Sequence, residues 1–304
     1  MKEQEGTGIL LESGTNELEI VGFGIGENHF GINVAKVREI LEPSQVTKLP
    51  HSHPSISGII QLRGEVLPVI DLSQALKFPS FENKSKGYFI VTEFNKVKVV
   101  FHVESVFQIH RISWEQIEKP TELFKGGEGV VIGVIKMPSQ LILLLDFEKI
   151  VVEIDPDSGI QIDSIKKLGN RERINKSIVV AEDSPMLRKM IEETLVAAGY
   201  SNNHFFHDGK QAWDFLEKLA KEKPDDINNQ VNLLITDIEM PQMDGLHLTK
   251  RVKDHPNLKD IPVIIFSSLI SDDLRHKGER VGANGQVSKP EIDSLVQLID
   301  QLVV

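Results

Sequence analysis

The chain has 304 residues and a mass of 34.1 kDa, which at ~150 residues per domain predicts two domains. Residues 1–155 carry 15 Lys/Arg against 21 Asp/Glu (net −6) and residues 156–304 carry 19 against 24 (net −5), which accounts for the total of −11. Neither half is a cationic module, so nucleic acid is not an expected partner. The absence of cysteine excludes disulfides, thiolate metal sites and cysteine nucleophiles. The acidic stretch Met1–Ile20 lacks the apolar core of a signal peptide. The most apolar run, Val130–Phe147, is broken by Lys136, Pro138, Ser139, Gln140 and Asp146, so it cannot span a bilayer. A cytoplasmic protein without direct membrane insertion is expected.

The first half reads as β structure. Ile56–Leu62 and Glu65–Ile70 flank Arg63-Gly64, Tyr88–Phe94 and Val97–Val103 flank Asn95-Lys96, and Val130–Lys136 and Leu141–Asp146 flank Met137-Pro-Ser-Gln140. Each reads as a hairpin. In Val97–Val103 the residues Val97, Val99, Phe101 and Val103 alternate with more polar ones, the pattern of a strand with one buried face. Many short strands with Gly/Pro turns predict a barrel or a pair of barrels. His51-Ser-His53-Pro has metal-ligand types but no third ligand nearby, so it reads as a loop. Gly22–Gly26 (GFGIG) is followed by no dinucleotide-binding fingerprint and reads as turn glycine.

Between about Glu153 and Lys176 the pattern dissolves into turn residues and mixed charge, which places a linker at 156–176 between domains at 1–155 and 177–304. From Ser177 the period changes. Strands are predicted at Ser177–Ala181, His204–Phe206, Val231–Thr236, Ile261–Phe266 and Gly285–Val287. Helices are predicted at Pro185–Ala198, Gly209–Lys221, Leu246–Asp254, Ser271–Val281 and Glu291–Leu302. Five β/α units in this length predict a doubly wound parallel sheet. The polar stretch Glu222–Gln230 reads as solvated surface.

In such a sheet, ligands bind beyond the carboxyl ends of the strands, where strand order reverses. Glu182 and Asp183 follow the first of these strands, Asp237 the third, Ser267 the fourth and Lys289 the fifth. Any one of these alone would pass for a loop or helix-capping residue; the full set at successive strand ends does not. Converging carboxylates repel one another and require a cation, and an oxygen-only donor set suits Mg²⁺. A carboxylate can attack phosphorus to form an aspartyl phosphate, while the metal, a lysine ammonium and a hydroxyl share the charge on the phosphoryl oxygens.

The segments Val-Val-Ala-Glu182-Asp183-Ser, Thr-Asp237-Ile-Glu-Met240-Pro241-x-Met-Asp244-Gly245 and Val-Ser-Lys289-Pro290 resemble the receiver domain of two-component response regulators. The resemblance implies a flavodoxin-like fold with Asp237 as phosphoacceptor and Asp183 as Mg²⁺ ligand. It also implies Glu182 acting largely through water, the Glu239 main-chain carbonyl completing the metal site, and Ser267 and Lys289 touching the phosphoryl group. It implies a cis Lys289–Pro290 bond as well. Three positions before that lysine, where receivers usually carry an aromatic switch residue, this chain has Gln286. Ser268 stands where relatives often have Ala or Gly.

In the first half, Ile56-Ser-Gly-Ile-Ile-Gln-Leu-Arg63-Gly64-Glu-Val-Leu-Pro68-Val-Ile-Asp71-Leu, with Val37-Arg-Glu39-Ile and Val46-Thr-Lys-Leu-Pro50, resembles the CheW-type chemotaxis coupling domain. Two intertwined SH3-like barrels are implied, presenting apolar edges to a histidine kinase and to chemoreceptor tips. Glu39 and Arg63 match positions where that family pairs charges near the receptor-binding surface. A coupling domain followed by a receiver is similar to the CheV family. No DNA-reading element follows the receiver before Val304, so the coupling domain itself is the expected output. The implied role is that of a non-enzymatic adaptor recruited to receptor arrays at the inner face of the membrane. It links methyl-accepting chemoreceptors to the kinase CheA and is modulated by phosphorylation at Asp237. Two other readings are a phosphate sink for the kinase and a haloacid-dehalogenase-type phosphohydrolase. The hydrolase would carry a second Asp two residues after the nucleophile, where this chain has Glu239.

Overall fold

The computed structural model describes residues 16–79, 86–118, 129–156, 176–269 and 272–303. In chain order the first half comprises β1 (Glu17–Ile25), β2 (Asn28–Asn33), β3 (Val37–Leu41), β4 (Ile56–Leu62), β5 (Glu65–Asp71) and α1 (Leu72–Ala75). It continues with β6 (Tyr88–Phe94), β7 (Val97–Val103), β8 (Ser105–Ser113), β9 (Ile117–Glu118), β10 (Val131–Lys136), β11 (Leu141–Leu145) and α2 (Phe147–Ile154). Short 3-10 turns occupy Val34–Lys36 and Trp114–Gln116. The strands form a six-stranded sheet of order β8-β1-β2-β11-β10-β9 and a five-stranded sheet of order β3-β6-β7-β5-β4. The predicted hairpins are present as β4–β5, β6–β7 and β10–β11. Asn95 and Lys96 both take left-handed φ (51° and 60°), the turn geometry that matches strand twist.

Each sheet encloses its own apolar cluster, and a third cluster lies between the sheets. Ile20, Trp114, Ile135 and Ile142 pack inside the first sheet, and Ile60, Phe89, Val91 and Val100 inside the second. Phe23 and Phe30 meet Ile90, Phe101 and Phe147 in the middle. The one-faced reading of Val97–Val103 is therefore corrected. Val99, Phe101 and Val103 face the shared cluster while Val100 faces the inner one, and all four are buried. A strand central to one of two packed barrels has no solvent side. Among Gly22–Gly26, only Gly26 is a turn glycine, with φ 57°. Gly22 and Gly24 lie within β1, where a Cβ on Gly24 would come within 2.6 Å of Ser105 Oγ. His53 lies in a loop, its Nδ1 accepting from the Ser55 amide at 3.2 Å.

The second half comprises β12 (Ser177–Ala181), α3 (Pro185–Ala197), β13 (Asn202–Phe206), α4 (Gly209–Glu222), α5 (Ile227–Gln230), β14 (Leu233–Thr236) and α6 (Gly245–Asp254). It ends with β15 (Val263–Ser267), α7 (Asp272–Arg280), β16 (Gly285–Ser288) and α8 (Ile292–Val303). The sheet is parallel with order β13-β12-β14-β15-β16. Strand order therefore reverses between β12 and β14, the position where the site residues were expected. One face packs under α3 and α8 through Ile178, Val180, Leu195 and Leu295. The other packs under α4 and α6 through Val179, Trp213, Leu216 and Leu248. Glu222–Gln230 is not plain solvated surface: a 3-10 turn at Pro224–Asp226 leads into α5, which buries Ile227 in the α4/α6 cluster. Polar flanks masked that single apolar anchor in the sequence.

The predicted linker falls almost wholly outside the described residues. The two halves nevertheless touch directly. Leu269, just beyond β15, is buried in the same apolar cluster as Phe94, Val99, Phe147 and Ile150 of the first half. The Asn95 amide donates to the Ser268 carbonyl at 3.2 Å, and Lys96 pairs with Glu291. Asn16 Nδ2 donates to the Gln242 carbonyl at 3.1 Å, and Asn16 Oδ1 accepts from the Asp244 amide at 2.9 Å. No described helix is long and apolar enough to cross a membrane.

Candidate functional site

At the switch point, β12 ends into Glu182-Asp183 and β14 into Asp237, while the residue after β16 is Lys289. The Asp237 amide donates to the Ala181 carbonyl at 3.0 Å and so locks the two strand ends together. Gly245 is required here, because a Cβ at that position would fall 1.8 Å from the Asp237 carbonyl oxygen. On the opposite flank, Ser184 caps α3 through the Leu187 amide, with Pro185 in its first turn. The Lys289–Pro290 bond is cis.

Oxygens of Glu182, Asp183 and Asp237 lie within 4.8 Å of one another. The Lys289 ammonium bridges two of them, 2.9 Å from Glu182 Oε2 and 3.0 Å from Asp237 Oδ2, with its side chain 1% exposed. Glu182 Oε1 accepts from the Ser184 amide at 3.3 Å, and Asp237 Oδ1 from the Ile238 amide at 2.7 Å. By contrast, Asp183 Oδ2 is enclosed with no hydrogen-bond partner among the described residues. An enclosed, unpartnered carboxylate oxygen is costly, and this one lies within a ring of hard oxygen donors.

The electrostatics follow from burial and crowding. Burial and the neighbouring Asp237 push Glu182 up to about 8, against the pull of Lys289. Burial, Glu182 and Asp237 push Asp183 well above the carboxylate range. Burial alone would lower Lys289, but Asp237 and Glu182 outweigh it and hold it well above its ordinary value. The cavity these groups line also contains Glu239, Asp146, Glu148 and Lys36, so six carboxylates face two ammoniums. That excess favours a divalent cation, and the donor set fits Mg²⁺.

Other expected residues are placed differently. Ser267 is fully buried and outside this small cavity, and its Oγ accepts from the Leu269 amide at 3.3 Å. The Glu239 side chain turns toward the first half: Oε1 accepts from Asn33 Nδ2 and Oε2 from Lys36 Nζ, both at 2.7 Å. Gln286 Nε2 donates to the Arg275 carbonyl at 2.7 Å, while its Oε1 is enclosed without a partner. Far from this cluster, Arg63 Nη2 donates to Glu39 Oε2 at 2.8 Å, with the Arg63 side chain 78% exposed. Exposed Ile40, Leu49 and Val66 belong to the same sheet or its connections.

Sequence reasoning missed Asn16, Asn33, Lys36, Asp146, Glu148 and Gln242. Asp146 and Asn33 left local traces as caps: Asp146 accepts from the Lys149 amide at the start of α2, and Asn33 from the Ala35 amide at the start of its 3-10 turn. Lys36 ends a short turn in an otherwise ordinary strand connection, and its partners Glu148 and Glu239 are both remote in sequence.

Comparison with known proteins follows this division. The CheW-like domain family matches residues 19–155 and the response regulator receiver domain family residues 178–300. A relative named chemotaxis protein CheV3, from Helicobacter pylori, is 29% identical over 304 residues, covering 95% of either chain. Chemotaxis protein CheW of Thermotoga maritima is 31% identical over 150 residues, 49% of this chain and 98% of its own. The solved scaffolding protein TtCheW of Thermoanaerobacter tengcongensis covers 42% of this chain and 88% of its own, at 27% identity and a TM-score of 0.40.

Proposed function

Because this chain belongs to the CheV family of chemotaxis proteins, a CheW-like coupling domain joined to a response-regulator receiver, we propose that Asp237 is the phosphoacceptor through which its coupling activity is modulated. The protein is a chemotaxis coupling adaptor with a phosphorylatable receiver. The observation that carries the assignment to Asp237 is the buried Lys289 ammonium held between Asp237 and Glu182, beside the unpartnered oxygen of Asp183.

Receiver domains typically bind Mg²⁺, and the clustered oxygens of Glu182, Asp183 and Asp237 fit it; these residues, with the Glu239 main-chain carbonyl, would hold the ion. When bound, the ion would offset charge on the phosphoryl oxygens. Asp237 supplies the nucleophilic oxygen. Its bond to phosphorus forms as the donor's phosphorus–nitrogen bond breaks, and the donor imidazole leaves with the electron pair. Lys289, its side chain 1% exposed, moves from carboxylate partner to phosphoryl partner in a largely buried site, where its charge acts at reduced dielectric. The Ser267 hydroxyl accepts from the Leu269 amide and keeps its own O–H to donate to a phosphoryl oxygen, so its movement toward that group would strain or release the amide.

We read the donor as the chemotaxis kinase CheA and the coupling partners as that kinase and methyl-accepting chemoreceptors, at arrays on the cytoplasmic face of the membrane. Glu39 and Arg63, paired on an exposed, partly apolar surface, are proposed to lie at the receptor-facing side. Phosphorylation adds charge at a site that abuts the coupling domain. Those interdomain contacts favour control of coupling over a phosphate sink, and we read the protein as non-enzymatic. Labelling with phosphorylated kinase tests the site: Asp237→Asn should abolish base-labile labelling, and persistent labelling overturns it.

A further inference from the structure

The cavity above Asp237 has a volume of about 20 Å³, room for about one water molecule and too little for a phosphoryl group. Its roof is not part of the receiver. Lys36, Ile132, Asp146 and Glu148 of the coupling domain line that side of it.

Lys36 is the centre of this roof. Its ammonium lies 2.7 Å from Glu239 Oε2 and 3.3 Å from Glu148 Oε1, with its side chain 7% exposed. Asn33, which also caps the 3-10 turn carrying Lys36, takes the other oxygen of Glu239. The side chain of the residue two positions beyond Asp237 is thus bound entirely by the coupling domain. Asn16 and Gln242 pin the flank: Gln242 Nε2 donates to the Ile117 carbonyl at 2.9 Å, and the Gln242 amide to the Trp114 carbonyl at 3.0 Å.

We propose that the phosphorylation face of the receiver is an interaction surface whose partner is the chain's own coupling domain. Lys36 latches the two together over Asp237, so phosphoryl transfer requires the domains to part. This rests on the reading of Asp237 as phosphoacceptor. In-line attack needs the donor's phosphorus within about 3.5 Å of the Asp237 oxygen, and the space beside Asp237 is lined on one side by Lys36, Asp146 and Glu148 of the coupling domain. Once Asp237 is phosphorylated, about −1.5 to −2 of charge would face the roof carboxylates Asp146 and Glu148, with only one roof ammonium to set against them. Phosphorylation and closure therefore oppose each other. By reciprocity, phosphorylation favours a partner that binds the covered coupling-domain face, Asn33–Lys36 and α2, and such a partner favours the parted state in which Asp237 is accessible.

The test uses full-length protein and acetyl phosphate with Mg²⁺, a small donor that bypasses kinase recognition. Lys36→Met keeps the stem but strands Glu239 and Glu148. Asn16→Ala loosens the flank without touching the acidic cavity, and so stands in should Lys36→Met misfold. Both should be labelled faster than wild type, Lys36→Met by about tenfold or more, since stranding buried charges biases the two-state equilibrium at least that far. Equal rates overturn the proposal. So does slower labelling confined to Lys36→Met, which would make Lys36 a phosphoryl ligand. In the cysteine-free chain, labels at Lys136→Cys and Lys218→Cys, both exposed, report domain separation independently. The distance should lengthen in Lys36→Met, and an unchanged distance overturns the latch. If no variant is labelled, the Asp237 reading fails while this distance still decides closure.

Discussion

The backbone amide of Asn95 donates to the carbonyl of Ser268 across 3.2 Å, tying the β6–β7 turn of the coupling domain to the residue next to Ser267. Ser267 itself holds the Leu269 amide, and Leu269 is 4% exposed within the coupling domain's shared core cluster. A movement of the Ser267 hydroxyl toward a phosphoryl group would strain or release that amide. The path from Asp237 to the coupling domain thus runs through three consecutive residues.

Leu269→Ala should accordingly act in two ways. Removing a buried leucine costs about 2–5 kcal/mol, read by urea denaturation of the full chain. Labelling of Asp237 should persist while its effect on kinase coupling weakens. Normal stability together with normal output would remove Leu269 from the path.

Gln286 should matter little to that path. Its amide already donates to the Arg275 carbonyl, and a glutamine buried further would leave polar groups unpaired at a cost of ~1–3 kcal/mol. Gln286→Ala is expected to leave the phosphorylation-dependent change in kinase coupling largely intact. Loss of that change with normal labelling would make Gln286 the switch.

For the metal, Asp183→Ala should weaken Mg²⁺ affinity more than Glu182→Ala, by about tenfold or more against a smaller loss. Both Glu182 oxygens are already engaged by Lys289 and the Ser184 amide, whereas Asp183 Oδ2 has no partner. Titration calorimetry with MgCl₂ measures both, and the reverse order contradicts the assignment.

The interface should be acid-sensitive through Glu148. Burial would raise this group, but Lys36 and Lys289 outweigh burial and bring it down to about 2 from an ordinary 4.5. A carboxylate depressed in the folded state stabilises above its unfolded value, and that stabilisation is lost as the pH falls toward the folded one. Wild type should therefore exceed Glu148→Gln in stability near pH 6, with the gap narrowing toward about pH 3. Asp146, Glu182, Asp183 and Glu239 are shifted upward and slope the other way; Glu148 contributes to the rise at Asp146, Glu182 and Glu239, behind burial in each case, so Glu148→Gln relaxes only part of it. A gap that widens on acidification contradicts this account.

The receiver's acidic site was legible because its chemistry is local to strand ends: Glu182-Asp183 and Asp237 follow short apolar strands and Lys289 the short strand Gly285–Ser288, and a parallel sheet brings such ends together. The hairpins were legible from their turn residues. The two-sided burial of Val97–Val103 was not, because alternation reports one face and cannot show a second barrel behind it. The helical turn at Ile227 hid among polar neighbours. Lys36 and Asn33 were illegible for a deeper reason. Their contacts with Glu239 exist only where the two independently patterned halves meet, and nothing in the periodicity of either half encodes the other's position.

The central claim, that Asp237 controls coupling, is tested most directly by receptor-stimulated kinase activity reconstituted with wild type or with Asp237→Ala. With wild type, kinase activity should drift from its initial stimulated level as phosphoryl groups accumulate on the adaptor; with Asp237→Ala it should hold that initial level. Identical time courses for the two proteins would contradict the account.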